Sequence, residues 1–234
     1  MFQIEYAMEA INHAGTCLGI ITTDGIILAA EKKVTTKLLD QQSEYEKIFK
    51  ISNDLIVAVA GITSDANSVI DYARTVYEKY RFTYNEPMPV EQLVQTVCNL
   101  KQSYTQHGGM RPYGVSFIYA GWDKVYGWQL YQSDPSGNYS GWKATCIGTN
   151  STTAASIFKT DAKSDQMSQE EAFKLLTKVL HKTLEAATVD AEKVEMAVLK
   201  RTDDELVMQN VEKSFINTLV TNYAAEMNAA ASSS

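Results

Sequence analysis

The stretch Gly15–Lys33, GTCLGIITTDGIILAAEKK, has the pattern of two apolar strands joined by a short turn. Asp24 and Gly25 stand between the apolar runs, and both residue types tolerate the positive φ that a type I′ turn requires. We therefore predict a β-hairpin with a type I′ turn at Asp24-Gly25. Thr16 stands at the head of the first strand, where it is either a nucleophile or an ordinary β-branched strand residue.

The composition is that of a globular protein with a sizeable core. The chain has 234 residues, of which 45% are hydrophobic, and residues 1–234 are expected to form one domain. With 21 basic and 28 acidic residues, the net charge is −7. No basic run is interleaved with aromatic residues, which argues against a nucleic-acid surface. We expect protein or peptide partners and no nucleic acid.

The cysteines and the N-terminal segment favour a soluble protein of a reducing compartment. Cys17, Cys98 and Cys146 are widely spaced, so they form neither a fully paired disulfide framework nor a Cys-x-x-Cys clip. Glu5 and Glu9 interrupt the apolar pattern of the first residues. The segment therefore lacks the continuous apolar run of a signal peptide or a membrane span, and no membrane association is expected.

The rest of the sequence alternates predicted strands with pairs of predicted helices. Each helical pair needs an apolar sheet face to cover. We therefore predict an α+β fold, a four-layer αββα sandwich with two antiparallel sheets between helix layers, followed by a disordered end at residues 228–234. The predicted elements are strands at 45–51 and 55–61, a helix capped by Thr63 or Ser64 and broken at Pro87, a helix from Pro89 to Gly108, strands at 113–122, 125–132 and 138–148, a helix at 151–162, a helix with the capping box Ser168-x-x-Glu171, two strands around Asp203-Asp204, and a helix at about 211–227.

The familiar catalytic motifs are missing from the sequence. His13, His107 and His181 lie far apart and form no His-Glu-x-x-His pattern, which argues against a zinc site. Neither Gly-x-Ser-x-Gly nor a phosphate-binding loop is present. We expect no metal and no cofactor. Thr16 could be a nucleophile only if cleavage after Gly15 freed its α-amine to serve as the base.

Several segments in the same order resemble the proteasome alpha-type subunits. They are FQIEYAMEAINHAGT, DGIILAAEKK, SEYEKIFKI and AGITSDAN. The resemblance implies the N-terminal-nucleophile hydrolase type of sandwich. It also implies a structural role, because different alpha subunits form the heteroheptameric outer ring of the 20S core particle and admit unfolded substrates through a gate. The implied partners are other alpha subunits, beta-ring subunits and the regulatory particle or other activators. Ubiquitin-dependent degradation in cytoplasm and nucleus is the implied setting.

The resemblance also decides which residues are expected to be functional. In the catalytic beta-type relatives, an N-terminal threonine works with an aspartate and a lysine. Matched through DGIILAAE, this chain has Gly15 at the nucleophile position, Glu31 in place of the aspartate and Lys47 in place of the lysine. We therefore expect no catalytic residue. Two alternatives stay open, an autoprocessed threonine hydrolase using Thr16, and a homomeric ring or peptide-binding module of the same fold.

Lys47 matches the alpha-subunit lysine that receives the C-terminal carboxylate of an activator. Gly15 and Ile62 match the small and apolar members of that pocket. An ammonium on a flexible stem suits a terminal carboxylate. The alternative for Lys47 is a solvated charge on a strand.

The first helix, residues 1–12, matches the helix that packs between neighbouring alpha subunits. Apolar side chains surround more of this short helix than one buried face requires. A helix of this chain's own core is the alternative. The expected ring-interface residues are Phe2, Ile4, Tyr6, Met8 and Ile11.

Overall fold

The computed structural model describes residues 2–32, 46–162, 167–184, 190–203 and 205–232. Within these ranges the chain forms helices and strands in nearly the predicted order. No helix of the described part is long and apolar enough to cross a membrane. The elements are α1 (Phe2–Asn12), β1 (Cys17–Ile21), β2 (Gly25–Glu31), β3 (Ile48–Ser52), β4 (Leu55–Gly61), α2 (Thr63–Tyr84), α3 (Val90–Gln106), β5 (Val115–Asp123), β6 (Gly127–Ser133), β7 (Tyr139–Gly141), β8 (Ala144–Ile147), α4 (Ser151–Asp161), α5 (Gln169–Thr183), a 3₁₀ turn (Ala191–Lys193), β9 (Val194–Thr202), β10 (Glu205–Asn210) and α6 (Lys213–Ser232).

The strands form two five-stranded antiparallel sheets that pack face to face. The first sheet has the order β10-β9-β2-β1-β8, and the second has the order β3-β4-β5-β6-β7. One apolar cluster lies between the sheets. A second joins the first sheet to α4, α5 and α6, and a third joins the second sheet to α2 and α3. The predicted four-layer αββα sandwich is confirmed.

Strand β2 shows why an almost wholly apolar sequence fits this position. Successive side chains of a strand point to opposite faces of the sheet. Ile26, Leu28 and Ala30 accordingly pack between the two sheets. Ile27 and Ala29 pack toward the helices of the first sheet. Both faces of β2 are buried, so β2 cannot show the alternation of apolar and polar residues that is typical of a strand with one exposed face.

The hairpin between β1 and β2 forms, but the predicted type I′ turn is wrong. Ile21 pairs with Ile26, and the Thr22 N–H donates to the Gly25 carbonyl oxygen over 2.8 Å. Neither Asp24 nor Gly25 has a positive φ. Glycine is needed at position 25 for a different reason, since a Cβ there would lie 2.3 Å from the Leu199 carbonyl oxygen on β9.

The single strand predicted at 138–148 divides into two strands that belong to different sheets. The Trp142 N–H donates to the Leu130 carbonyl of the second sheet over 2.8 Å. One residue later, the Lys143 carbonyl accepts from the Ile21 N–H of the first sheet over 2.9 Å. The chain therefore crosses from one sheet to the other between β7 and β8.

The predicted side-chain caps meet with different outcomes. For α5 the capping box is confirmed, because the Ser168 hydroxyl accepts from the Glu171 N–H and the Glu171 carboxylate accepts from the Ser168 N–H. For α2 the prediction is wrong. Its N-cap is Ile62, which makes no side-chain capping bond, and Thr63 is already the first helical residue.

The last helix extends beyond its predicted end. The backbone of α6 is helical through Ser232, although we expected a disordered end from residue 228. Ala229, Ala230 and Ala231 favour this extension, because alanine has the highest helix propensity. Residues 233 and 234 lie outside the described part of the chain.

Candidate functional site

The candidate site lies where the starts of β1 and β3 meet at one end of the two sheets. Lys47 directly precedes β3, and its Nζ donates to the Gly15 carbonyl oxygen over 2.7 Å. The Lys47 carbonyl accepts from the Val59 N–H over 3.0 Å, and its N–H donates to Glu195 Oε2 over 3.0 Å. Lys47 therefore links the two sheets at this point, because it bonds to Gly15 and Glu195 of the first sheet's side and to Val59 of the second sheet.

Gly15 has no room for a side chain. A Cβ at this position would lie 2.6 Å from the Glu31 carbonyl oxygen and 3.0 Å from Lys47 Nζ. Real Cβ atoms essentially never approach a backbone oxygen so closely. The position matched to the nucleophile of the catalytic relatives is thus occupied by backbone.

Thr16 and Cys17, which follow Gly15, are buried and form hydrogen bonds with other parts of this chain. Thr16 is fully buried, its amide N–H donates to Glu31 Oε2 over 3.0 Å, and its hydroxyl donates to the Thr149 carbonyl over 2.6 Å. The Cys17 thiol donates to the Val59 carbonyl over 3.2 Å, and burial raises its pKa. With its nitrogen in a peptide bond, Thr16 lacks the free amine that a threonine nucleophile needs as its base.

Acidic and basic side chains share the site. Lys32 Nζ lies 3.7 Å from Glu195 Oε2, and Glu31 and Glu46 are close by. Burial raises the pKa of the Glu195 carboxyl above its ordinary value, while the Lys47 N–H and the Lys32 ammonium oppose that shift. Lys32 therefore already has a carboxylate partner, and an incoming anion must compete with that carboxylate for Lys32.

A small cavity of about 180 Å³ opens beside Lys47. Its lining includes Gly15, Lys47, Gly61 and Thr63. Ile62 does not line it; the side chain is 41% exposed and lies over Gly114 instead. The structure thus brings Gly15 and Lys47 together and leaves Ile62 outside the lining of the cavity. A cavity of this size suits the end of a peptide rather than a large ligand.

The predicted interface residues on α1 separate into two groups. Phe2 and Tyr6, four residues apart and thus on one face of the helix, are 72% and 66% exposed. Met8 is also exposed, and Ile4 is half-buried. Ile11 is only 3% exposed and packs in the cluster between the sheets. As a correction, Ile11 belongs to this chain's own core and is not available to a neighbouring subunit.

Sequence reasoning missed two members of the site, Lys32 and Glu195. Lys32 stands in the quoted hairpin, but its sequence neighbours do not show that it faces a carboxylate. Glu195 follows Lys47 by 148 residues, so no local pattern could associate them. Among the described residues, no group of histidine, cysteine or acidic side chains is arranged to hold a metal ion.

The family model for "Proteasome subunit" matches residues 11–199. This range includes the Gly15 and Lys47 site and most of the two sheets. Together with the observed sandwich, the match shows that the chain belongs to the proteasome subunit family.

Curated relatives specify the type of subunit. Proteasome subunit alpha type-4 of Drosophila melanogaster is 50% identical over 226 residues, which cover 95% of this chain and 86% of that protein. The subunit of the same name from Dictyostelium discoideum is 54% identical over 209 residues, or 88% of this chain and 83% of that protein. A probable alpha type-3 subunit of Schizosaccharomyces pombe is 50% identical over 225 residues, or 95% of this chain and 90% of that protein.

The chain is therefore an alpha-type member of the family, and it is similar over most of its length to several subunits named alpha type-4. It is a non-catalytic subunit of a threonine-type endopeptidase complex. The geometry agrees with this, because the position matched to the nucleophile is Gly15, where a Cβ would lie 2.6 Å from the Glu31 carbonyl oxygen.

Proposed function

We propose that the chain is one of seven different subunits in the alpha ring of the 20S core particle. In this role it contacts neighbouring alpha subunits and beta-ring subunits, contributes to the substrate gate, and takes part in ubiquitin-dependent degradation in the cytoplasm and nucleus. The single observation that carries the ring role is the similarity to alpha-type subunits over most of the chain. The exposed Phe2 and Tyr6 face of α1 supplies a surface for a neighbouring subunit.

A second part of the proposal concerns the cavity beside Lys47, which we assign to the C-terminal carboxylate of an activator. The Lys47 ammonium already donates to the Gly15 carbonyl, so it is held in place before a ligand arrives. A terminal carboxylate would receive a further charge-assisted hydrogen bond from this ammonium. Such a bond contributes about 1.5 kcal/mol or more, which corresponds to roughly tenfold in affinity.

The carboxylate assignment is tested with the Lys47→Ala variant in the assembled complex and two forms of one activator peptide. The wild-type complex should bind the peptide with a free C-terminus about tenfold more tightly than the amidated peptide. Lys47→Ala should abolish that difference. Lys50→Ala, which removes an exposed lysine of β3, is the matched control and should retain it. Equal discrimination by wild type and Lys47→Ala would refute the assignment.

The ring role is tested by native mass spectrometry of the complex purified through this chain. One copy of the chain per ring, together with several different subunits, is the expected result. A ring of seven identical copies would instead support the homomeric module. A mature chain beginning at Thr16 would support the autoprocessed hydrolase.

A further inference from the structure

Lys32 is a second cation of the cavity beside Lys47. It directly follows β2, and it lines the cavity together with Lys47 and Glu46. The side chain of Lys32 is 25% exposed, so its ammonium is open to a ligand. An anion that enters the cavity therefore meets two lysines, of which the proposed function uses only Lys47.

The pairing of β2 with β9 places the Glu195 carboxylate on the same face of the sheet as Lys32. Ala30 pairs with Glu195, and Ala30 packs between the two sheets. Lys32 lies two residues after Ala30, and residues two apart in an extended chain point to the same side. The backbone keeps its register here, because the Lys32 N–H donates to the Lys193 carbonyl over 2.7 Å. Strand register thus makes Lys32 and Glu195 neighbours.

Glu195 is held more firmly by the backbone than by Lys32. Its Oε2 accepts from the Lys47 N–H over 3.0 Å, and its side chain is only 12% exposed. Lys32 Nζ lies 3.7 Å from the same oxygen, which is beyond the range of about 2.7–3.2 Å for a hydrogen bond. Among the described residues, the Lys32 ammonium therefore has an ionic neighbour but no hydrogen-bond acceptor, and its flexible stem lets it turn toward a closer oxygen.

The balance of charge around the cavity depends on Glu195. In the described part of the chain, the lysines that approach the cavity are Lys32 and Lys47, whereas the acidic side chains are Glu31, Glu46 and Glu195. With Glu195 ionised, carboxylates outnumber ammonium groups, which opposes the entry of a further anion. Neutral Glu195 would make the two signs equal in number and would release Lys32 from its ionic partner. The charge of Glu195 therefore controls how well Lys32 can attract an anion.

We propose that Lys32 is a second binding residue for the peptide carboxylate at Lys47, and that Glu195 competes with that carboxylate for Lys32. Without a ligand, Lys32 is paired with Glu195. A bound carboxylate replaces Glu195 as the partner of Lys32, and this exchange is easiest when Glu195 is uncharged. The inference rests on the proposed function, because it assumes a carboxylate at Lys47. It adds a specificity-determining residue, Lys32, and a regulatory one, Glu195.

Glu195→Gln tests the competition in the assembled complex, with the free-acid and amidated forms of the same activator peptide and calorimetric titration. The glutamine keeps an oxygen for the Lys47 N–H but carries no charge. We expect the preference for the free acid to rise about three- to fivefold above that of the wild type. Glu205→Gln removes an exposed carboxylate of β10 opposite Thr202, at the far end of β9, and should leave the preference unchanged. An unchanged preference in Glu195→Gln would overturn the proposal.

Lys32→Met separates competition for Lys32 from simple repulsion by Glu195. In the Lys32→Met background no ammonium is released, so Glu195→Gln should raise the preference by less than about twofold. An equal gain in both backgrounds would remove Lys32 from the binding site. The proposed function fails on a different result, which is that Lys47→Ala keeps the preference for the free acid. If Lys47→Ala abolishes the preference and Glu195→Gln leaves it unchanged, the carboxylate assignment stands and the present inference is wrong.

The pH dependence of binding gives a second readout. Burial raises the pKa of Glu195, so this carboxylate gains a proton at a higher pH than an ordinary glutamate. Between about pH 7.5 and about pH 5 the peptide carboxylate stays ionised, so acidification should increase the preference of the wild type for the free acid. Glu195→Gln should show no such gain. The charged and titratable side chains of the cluster around Glu195 are Cys17, Glu31, Lys32, Glu46 and Lys47. An equal pH response in wild type and Glu195→Gln would overturn the role of Glu195.

Discussion

Gly15 is held by two contacts that leave no space for a side chain. Its carbonyl accepts from Lys47, while its Cα stands against the backbone of Glu31. The sequence comparison matches Gly15 to the nucleophile position of the catalytic relatives. The close approach of β2 that requires a glycine there is visible only in the folded chain, because it depends on a residue 16 positions later.

Gly15→Ala should lower the free energy of unfolding by about 1–3 kcal/mol, because the new Cβ would push the Glu31 carbonyl and the Lys47 ammonium away from position 15. Urea unfolding of the full chain measures this loss. Gly108→Ala is the matched control, since nothing lies within 4 Å of a Cβ there. Equal stability of Gly15→Ala and wild type would contradict the packing argument.

Lys101 is a second residue whose role the sequence does not reveal. It lies on the buried side of α3, where Nζ donates to the Ser133 hydroxyl over 3.1 Å and stands 5.2 Å from the centre of the Phe117 ring. Burial lowers the pKa of its ammonium to about 8. The helical pattern of α3 predicts an apolar face and gives no reason to place a lysine within it.

The buried ammonium makes stability depend on pH. The folded pKa of Lys101 lies below the unfolded value, so the unfolded chain binds more protons between pH 8 and the unfolded pKa, and stability rises with pH there. Between pH 8 and 9.5, the free energy of unfolding of the wild type should gain up to about 2 kcal/mol relative to Lys101→Met. Urea titrations at each pH measure this difference.

The control for Lys101 is Lys79→Met, which removes an exposed lysine of α2 and should change stability equally at each pH. A constant difference between wild type and Lys101→Met over the same range would show that Lys101 has the same pKa in the folded and unfolded chains, which would contradict the prediction.

At the scale of elements, the N-termini of α2 and α5 are stabilised by different kinds of hydrogen bond, long-range in α2 and local in α5. The start of α5 uses its own sequence, through Ser168 and Glu171. The start of α2 depends on distant residues, because the Ile62 N–H donates to the Gly114 carbonyl and the Asp65 carboxylate accepts from Arg111 and from the Gly114 N–H. The capping box could therefore be predicted from local sequence. The anchor of α2 could not, since Gly114 follows Asp65 by 49 residues.

Ser168→Ala should reduce the free energy of unfolding by about 1 kcal/mol through loss of the capping bond. Ser64→Ala is the matched control at the start of α2, where no side chain caps the helix, and it should change stability by less than about 0.5 kcal/mol. Chemical denaturation of both variants under the same conditions compares them. A loss of similar size in both would mean that the two helix starts are held alike.

At the scale of the whole molecule, the element order and the apolar alternation were sufficient to predict the layers. They were insufficient at the crossing between β7 and β8, because one continuous run of strand-forming residues serves two sheets. Only some residues of the candidate site could be identified from the sequence, because the others lie far away along the chain. Family resemblance led to Gly15 and Lys47, whereas Glu195 and Lys32 are brought to them only by the packing of one sheet on the other.

The exposed face of α1 makes a prediction about assembly. Phe2→Ser with Tyr6→Ser should leave the stability of the isolated chain nearly unchanged, because both side chains are largely exposed. The same double variant should enter the multi-subunit complex less efficiently, which native mass spectrometry can quantify.

Ile11→Ala provides the contrast on the same helix. It should destabilise the chain itself by about 2–4 kcal/mol, because Ile11 is buried between the sheets. Normal incorporation of the Phe2 and Tyr6 double variant would remove α1 from the proposed ring interface.

The strand order also determines which of the two sheets can form first while the chain is being synthesised. The second sheet uses consecutive strands from β3 to β7, so it can form while the chain is still growing. The first sheet cannot form in this way, because its central strands β1 and β2 are synthesised well before their outer neighbours β8 and β9, which begin at Ala144 and Val194. Until β8 and β9 have been synthesised, the apolar strands β1 and β2 lack these neighbours and are prone to aggregation. Strands β1 and β2 precede the other described strands along the chain and are therefore among the last to gain all of their partners.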